Sequence, residues 1–171
     1  MPSEKTDHDF MREAIALARE AAAAGEIPVG ALVVDRATGE ILGRGRNRRE
    51  QDHSPTAHAE ILALEEAAEK RGTWRLSGCC LYVTLEPCPM CAGAVINAQI
   101  DRVVFGAYDE RMGAVCSAAD LFSLPGIRRP RVTAGLHEDA CTALMTDFFR
   151  RLREEQAGHP EAQDLNSADI L

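Results

Sequence analysis

No stretch of this 171-residue chain approaches the roughly 18 consecutive apolar residues that a membrane-spanning helix requires, so no membrane role is expected. The N-terminus, Met1-Pro2-Ser3-Glu4-Lys5, lacks the basic-then-apolar pattern of an export signal, which points to a cytoplasmic protein. An excess of positive charge is missing too. The net charge is −8, which argues against a chain that grips nucleic acid by bulk charge. No internal repeat and no linker interrupts the first 153 residues. These absences leave one folded domain over residues 1–153, long enough for a full core and 46% hydrophobic over the whole chain, followed by an acidic tail over 154–171 that is expected to be disordered.

The charge that is present is unevenly spread. Residues 154–171 hold five acids and neither Lys nor Arg, which leaves −3 for the rest. Arginines cluster at Arg44, Arg46, Arg48 and Arg49, at Arg128, Arg129 and Arg131, and at Arg150, Arg151 and Arg153. Local patches of this kind bind phosphates even on an acidic chain, although a solvated surface explains any single cluster as well. Six cysteines occur, and a reducing compartment favours thiols or metal ligation over disulfides.

Helical and strand patterns alternate. Asp7 or Asp9 caps a first helix bearing Phe10, Ala14, Leu17, Ala18 and Ala21 on one face, ending at Gly25. Val29 to Val34 and Ile41 to Arg46 read as a hairpin across Ala37-Thr38-Gly39-Glu40. Ser54-Pro55 is expected to start a helix that breaks at Gly72. Further strands are expected at Cys80 to Thr84, Val103 to Gly106 and Arg131 to Ala134, with helices from Pro87 or Cys88 to Ala98 and from Glu138 to about Glu155. One domain with this alternation implies an α/β fold, a three-layer α/β/α sandwich whose sheet is mixed because it opens on a hairpin.

The chemistry resides in two short segments, His58-Ala59-Glu60 and Pro87-Cys88-Pro89-Met90-Cys91. One imidazole and two thiols can hold zinc and leave a fourth position open, the catalytic arrangement; a structural site closes all four. The pattern H-x-E…P-C-x-x-C is already known as the signature of the zinc nucleobase deaminases. Both segments fall at expected helix starts, where unpaired amides favour the metal-binding thiolate. Cys88 and Cys91 are three apart, which on a helix gives them one face. Residues two apart on a helix do not share a face, so Glu60 is not a natural co-ligand beside His58; it offers a carboxylate near the metal but free of it. Zinc lowers the pKa of its water to about 7, and the resulting hydroxide attacks a ring carbon bearing an amino group while the carboxylate moves protons to the ring nitrogen and the departing ammonia.

Other readings exist for these residues. A redox C-x-x-C gives His58 and Glu60 no role. A structural zinc site needs a fourth ligand, for which His53, Cys79, Cys80 or Cys116 can be proposed. His53 reads as a surface or loop residue, and Cys141 as core.

Beyond the zinc segments the chain resembles the bacterial tRNA-specific adenosine deaminases. The resemblance runs from about Phe10 to Arg151. It is carried by Ile27-Pro28-Val29-Gly30-Ala31, by Pro55-Thr56-Ala57-His58-Ala59-Glu60-Ile61 and by the run from Leu81 to Ala94. Two further segments set it apart from guanine and cytidine deaminases: Arg102-Val103-Val104-Phe105-Gly106-Ala107-Tyr108-Asp109 and Asp147-Phe148-Phe149-Arg150. The resemblance implies a cytidine-deaminase-like fold with a five-stranded mixed sheet, and a homodimer with one zinc per subunit and no organic cofactor. It also implies hydrolysis of adenosine to inosine at the wobble position of a tRNA anticodon stem-loop. His58, Cys88 and Cys91 would ligate zinc and Glu60 would shuttle protons. Asn47 would bind the flipped nucleotide, Val29 and Ala59 would line the base pocket, and Asp109 would contact the backbone beside the target. Phe148, Phe149 and Arg150 would border the anticodon-loop groove. Two competing functions share the zinc residues: deamination of a free base or nucleoside, such as guanine or cytosine, and non-catalytic RNA binding around structural zinc.

Overall fold

Alternation along the strands decides the architecture. In a computed structural model that describes residues 4–158, β1 (Gly30–Asp35), β2 (Ile41–Arg46), β3 (Cys79–Leu85), β4 (Arg102–Ala107) and β5 (Arg131–Thr133) form one sheet in the order β2-β1-β3-β4-β5. β1 pairs antiparallel with both β2 and β3, whereas β3–β4 and β4–β5 are parallel. Successive side chains point to opposite faces of a strand. Ala31, Val33, Leu81, Val83, Val103 and Phe105 therefore pack on one side, against α2 (Ala59–Arg71) and α3 (Pro89–Ala98). Leu32, Val34, Cys80, Tyr82 and Val104 pack on the other, against α1 (Asp7–Ala23) and α4 (Glu138–Ala157). The result is the expected α/β/α sandwich with a five-stranded mixed sheet. Among the described residues no helix is long and apolar enough to cross a membrane.

Two glycines set how closely α2 approaches the sheet. A Cβ at Gly43 would lie 2.1 Å from the Ala63 carbonyl oxygen, and one at Gly45 would lie 2.1 Å from that of Ala59. Only glycine lets the backbones meet at this distance.

Several boundaries differ from those expected. α1 is capped by Thr6, whose hydroxyl and the Asp9 carboxylate close a capping box. The helix expected from Ser54-Pro55 begins instead at Ala59. Residues 47–57 find other partners for their amides: Asn47 bonds the Val29 carbonyl, Arg48 that of Ala57, and Glu50 and Gln51 the Glu26 carboxylate. Past Ser54-Pro55 the amides close tight turns, Ala57 to the Ser54 carbonyl at 3.3 Å and His58 to that of Thr56 at 2.7 Å, and the helical ladder starts only with Leu62 on His58. The domain boundary expected at 153 falls inside α4, because Glu154, Glu155, Gln156 and Ala157 are good helix formers and nothing stops the helix before Gly158. The rest of the expected tail, 159–171, lies outside the described residues.

Candidate zinc centre and substrate cleft

The sheet register brings one set of strand ends together. Gly30, at the start of β1, pairs with Arg46 at the end of β2, and Leu85 at the end of β3 pairs with Ala107 at the end of β4. Val29, Asn47, Glu86 and Tyr108 are the next residues beyond those ends. A cavity of about 650 Å³ opens there, and the first turns of α2 and α3 form its floor.

Both metal-binding segments use the same local device. His58 and Cys88 are N-cap residues in extended conformation, at φ −76°, ψ 151° and φ −72°, ψ 173°. Neither side chain caps its own helix. Each faces the other helix instead: the Cys88 and Cys91 sulfurs both stand 3.6 Å from His58 Nδ1. Donors about 2.3 Å (sulfur) and 2.05 Å (nitrogen) from a tetrahedral zinc stand about 3.6 Å apart, so the set fits that ion. The three donor atoms lie within 4.8 Å of one another, and among the described residues no fourth His, Cys, Asp or Glu joins them. His53, Cys79, Cys80 and Cys116 are therefore not part of the group. Cys79 and Cys80 are buried at the opposite end of β3, and Cys116 is exposed.

The cap placement also corrects the helical-face argument. Cys88 lies outside α3 and Cys91 inside it, so an extended residue plus a helical turn, not one helical stripe, brings the two sulfurs together. Likewise His58 precedes α2, so the rule that helical neighbours two apart diverge does not govern His58 and Glu60. Glu60, 4% exposed, lines the cavity floor and is not among the three donors.

The electrostatics match metal binding. The Cys88 thiol is pulled down to about 4 by bonds from Cys91 and His58 that stabilise its thiolate. Cys91 is raised, because it donates to that thiolate and because it is buried. His58 is raised chiefly by its bond to Cys88. Burial pushes the Glu60 carboxyl up to about 7, partly opposed by His58. Without a cation the site thus retains protons that a metal would displace.

Of the other residues expected here, Val29, Asn47, Ala59 and Asp109 all line the same cavity. The Asn47 side-chain oxygen accepts the Arg49 N–H at 3.1 Å, so toward a ligand the residue offers its NH₂. One oxygen of Asp109 accepts the N–H groups of Arg111 and Met112, both at 3.1 Å. Phe149 lines a smaller neighbouring hollow of about 290 Å³, which shares Leu85, Asp109 and Met145 with the main cavity. Phe148 packs edge-on against Phe149, and Arg150 pairs with Asp147; neither lines those two cavities.

Sequence reasoning missed several lining residues. His53 is an exposed turn residue as expected, yet it also lines the cavity, as do Arg49, Met112 and Met145. Two buried acids, Glu26 and Glu86, also gave no periodic or spacing signal. The place of Glu86 directly before Pro87-Cys88 was the one available hint.

Residues 4–107 match the family described as the cytidine and deoxycytidylate deaminase zinc-binding region. The chain is 44% identical over 153 residues to a tRNA-specific adenosine deaminase of Bacillus subtilis (strain 168), a match covering 88% of this chain and 92% of that one. A solved structure from work on A-to-I editing by tRNA:A34 deaminases at the wobble position of transfer RNA is 42% identical with a TM-score of 0.75, over 79% of this chain and 97% of that one. A guanine deaminase from Nitrosomonas europaea is more distant, at 31% identity and a TM-score of 0.70 over 84% of each chain. The chain belongs to the cytidine and deoxycytidylate deaminase zinc-binding family, in the group whose members include the tRNA-specific adenosine deaminases.

Proposed function

We propose that this protein hydrolyses adenosine to inosine at the wobble position of a tRNA anticodon, releasing ammonia. One observation carries the reading: a carboxylate outside the donor set, Glu60, is buried on the floor of an open cavity beside three convergent zinc donors. Zinc, when bound by His58, Cys88 and Cys91, supplies Lewis-acid activation of water at neutral pH. The chain's own residues do the rest. Glu60 accepts one proton of the attacking water and delivers it to the ring nitrogen; it then takes the proton of the new C6 hydroxyl and passes it to the amine as the C6–N bond breaks and the C6 carbonyl forms. Val29 and Ala59 flank the base, and the Asn47 NH₂ donates to the nucleotide.

An RNA loop suits the cleft better than a free base does. The base must leave its stack to reach the floor, which an unpaired loop allows. The adjoining hollow, with Tyr108, Arg111 and Phe149, offers room and an aromatic platform for a neighbouring nucleotide. The relatives named for tRNA support this choice over guanine. A homodimer with one zinc per subunit is part of the proposal. A hollow between α2 and α3, lined by Ile61, Leu64, Trp74, Leu76, Ala94 and Ala98, leaves Trp74 60% exposed and suits a second copy. A tRNA substrate places the work in the cytoplasm.

The test is deamination of an anticodon stem-loop bearing adenosine at the wobble position, compared with free adenosine, guanine and cytosine. Inosine in the stem-loop, read by nuclease digestion and mass spectrometry, is expected. Turnover of free bases alone would overturn the reading, and zinc-loaded protein that binds the stem-loop without releasing ammonia would favour a non-catalytic module.

A further inference from the structure

Two loops face each other across the cleft. One, residues 47–58, carries Asn47, Arg49 and His53; the other, residues 109–118, carries Asp109 and Met112. Neither is held by a helical or sheet ladder. Under each lies a carboxylate that the chemistry does not use. Glu26, 2% exposed, accepts the N–H groups of Gln51 at 2.7 Å and Glu50 at 3.3 Å. Glu86, 1% exposed, accepts those of Cys116 and Ser117 at 2.8 Å, Asp109 at 3.1 Å and Val115 at 3.3 Å, and also the Ser117 hydroxyl. Among the described residues, these two and Glu60 are the buried acids.

A buried carboxylate is costly unless its oxygens are satisfied. Here each is satisfied by the backbone of a loop, and each loop is one wall of the cleft. Gly113 completes the fit on one side: a Cβ there would lie 2.4 Å from a Glu86 carboxylate oxygen, so glycine lets the loop wrap directly over the acid. We propose that Glu26 and Glu86 are positioning residues that fix the two opposing walls, Glu26 through the loop of Asn47 and Arg49 and Glu86 through the loop of Asp109 and Met112. This rests on reading the cleft as the nucleotide site. A carboxylate is an acceptor on both oxygens, whereas glutamine must turn an NH₂ toward one set of N–H donors. The exchange Glu→Gln therefore breaks the clamp with almost no change of volume.

The experiment uses the zinc-loaded full chain with Glu26→Gln, Glu86→Gln, Glu86→Asp and the milder Ser117→Ala, which leaves four amides on Glu86. Amide exchange, zinc content, kcat and KM for the stem-loop are measured. Glu86→Gln should speed exchange over 109–118 only, and Glu26→Gln over 47–58 only, both retaining zinc. KM should rise about 10- to 100-fold with a smaller change in kcat, since a displacement of the order of an ångström suffices for that. Glu86→Asp should recover part of the loss and Ser117→Ala should show a graded, smaller one. Unchanged loop exchange in the variants overturns the proposal, as does faster exchange throughout the sheet with KM unaltered. Should the parent protein leave the stem-loop untouched, the substrate assignment fails, and the exchange pattern still decides whether the two acids hold the walls.

Discussion

The helices that carry the zinc donors and the helix across the cleft from them bury very different shares of themselves. α2 buries five of its 13 residues and α3 three of its ten, including Glu60 and Cys91. α4, with 20 residues, buries only Cys141, whose sulfur is accommodated by the missing side chain of Gly106. Its Met145 and Phe149 face the cavities while only partly covered. The difference follows what each side must do. Metal ligation tolerates errors of about 0.2 Å, so its donors sit on elements locked into the core. The nucleotide stacking we propose for Phe149 tolerates more, so an accessible, loosely packed helix suffices.

The largest expected effect tests the floor. Glu60→Gln should keep the zinc and lower kcat on the stem-loop by about 10²- to 10⁴-fold, the range of general acid–base transfer. Metal analysis beside single-turnover rates checks it, and normal turnover would remove Glu60 from the chemistry. Next comes the pH dependence of metal uptake. Cys91 is raised above 9.0 in the metal-free site by its bond to Cys88 and by burial, so it holds a proton that zinc must displace, and the bond to Cys88 that raises His58 adds to the competition as pH drops. Affinity should fall as pH drops, by about tenfold per unit for each proton released. Calorimetry in buffers of different ionisation enthalpy counts those protons, and pH-independent uptake would contradict the donor assignment. The smallest effect belongs to α4. Phe149→Ala should raise KM for the stem-loop about fivefold, the lower end of one lost base–aromatic stack. Its thermal midpoint should barely move, because little buried surface is lost. A large drop in melting temperature would show that α4 is as firmly anchored as the floor, and the contrast would disappear.

Much of this was legible in the chain. The short apolar runs of Ala31 to Val34 and of Cys80 to Val83 gave the strands, and the turn at Gly39 gave the hairpin. His58, Cys88 and Cys91 were found by residue type and order, because few chemistries use that set. The start of α2 was misread since Ser54-Pro55 is a good local helix opening; the amides just beyond it make tight turns instead, Ala57 to the Ser54 carbonyl and His58 to that of Thr56. His53 is the exposed turn residue its type suggested, but nothing local showed that this turn borders the cavity. The residue's left-handed backbone, φ 48°, belongs to a turn that points a solvent-type residue at the cavity.

Sequence alone determined the donor set and the mixed α/β layering, because residue identity and short-range periodicity are local properties. Tertiary structure decided that His58 and Cys88 act from extended cap positions, that Glu60 reaches the floor, and that Glu26 and Glu86 hold loops across the cleft from each other. Those depend on which backbone amides find which acceptors once the sheet has closed, and a hydrogen bond between residues 26 and 51 or 86 and 117 leaves no periodic mark on the chain.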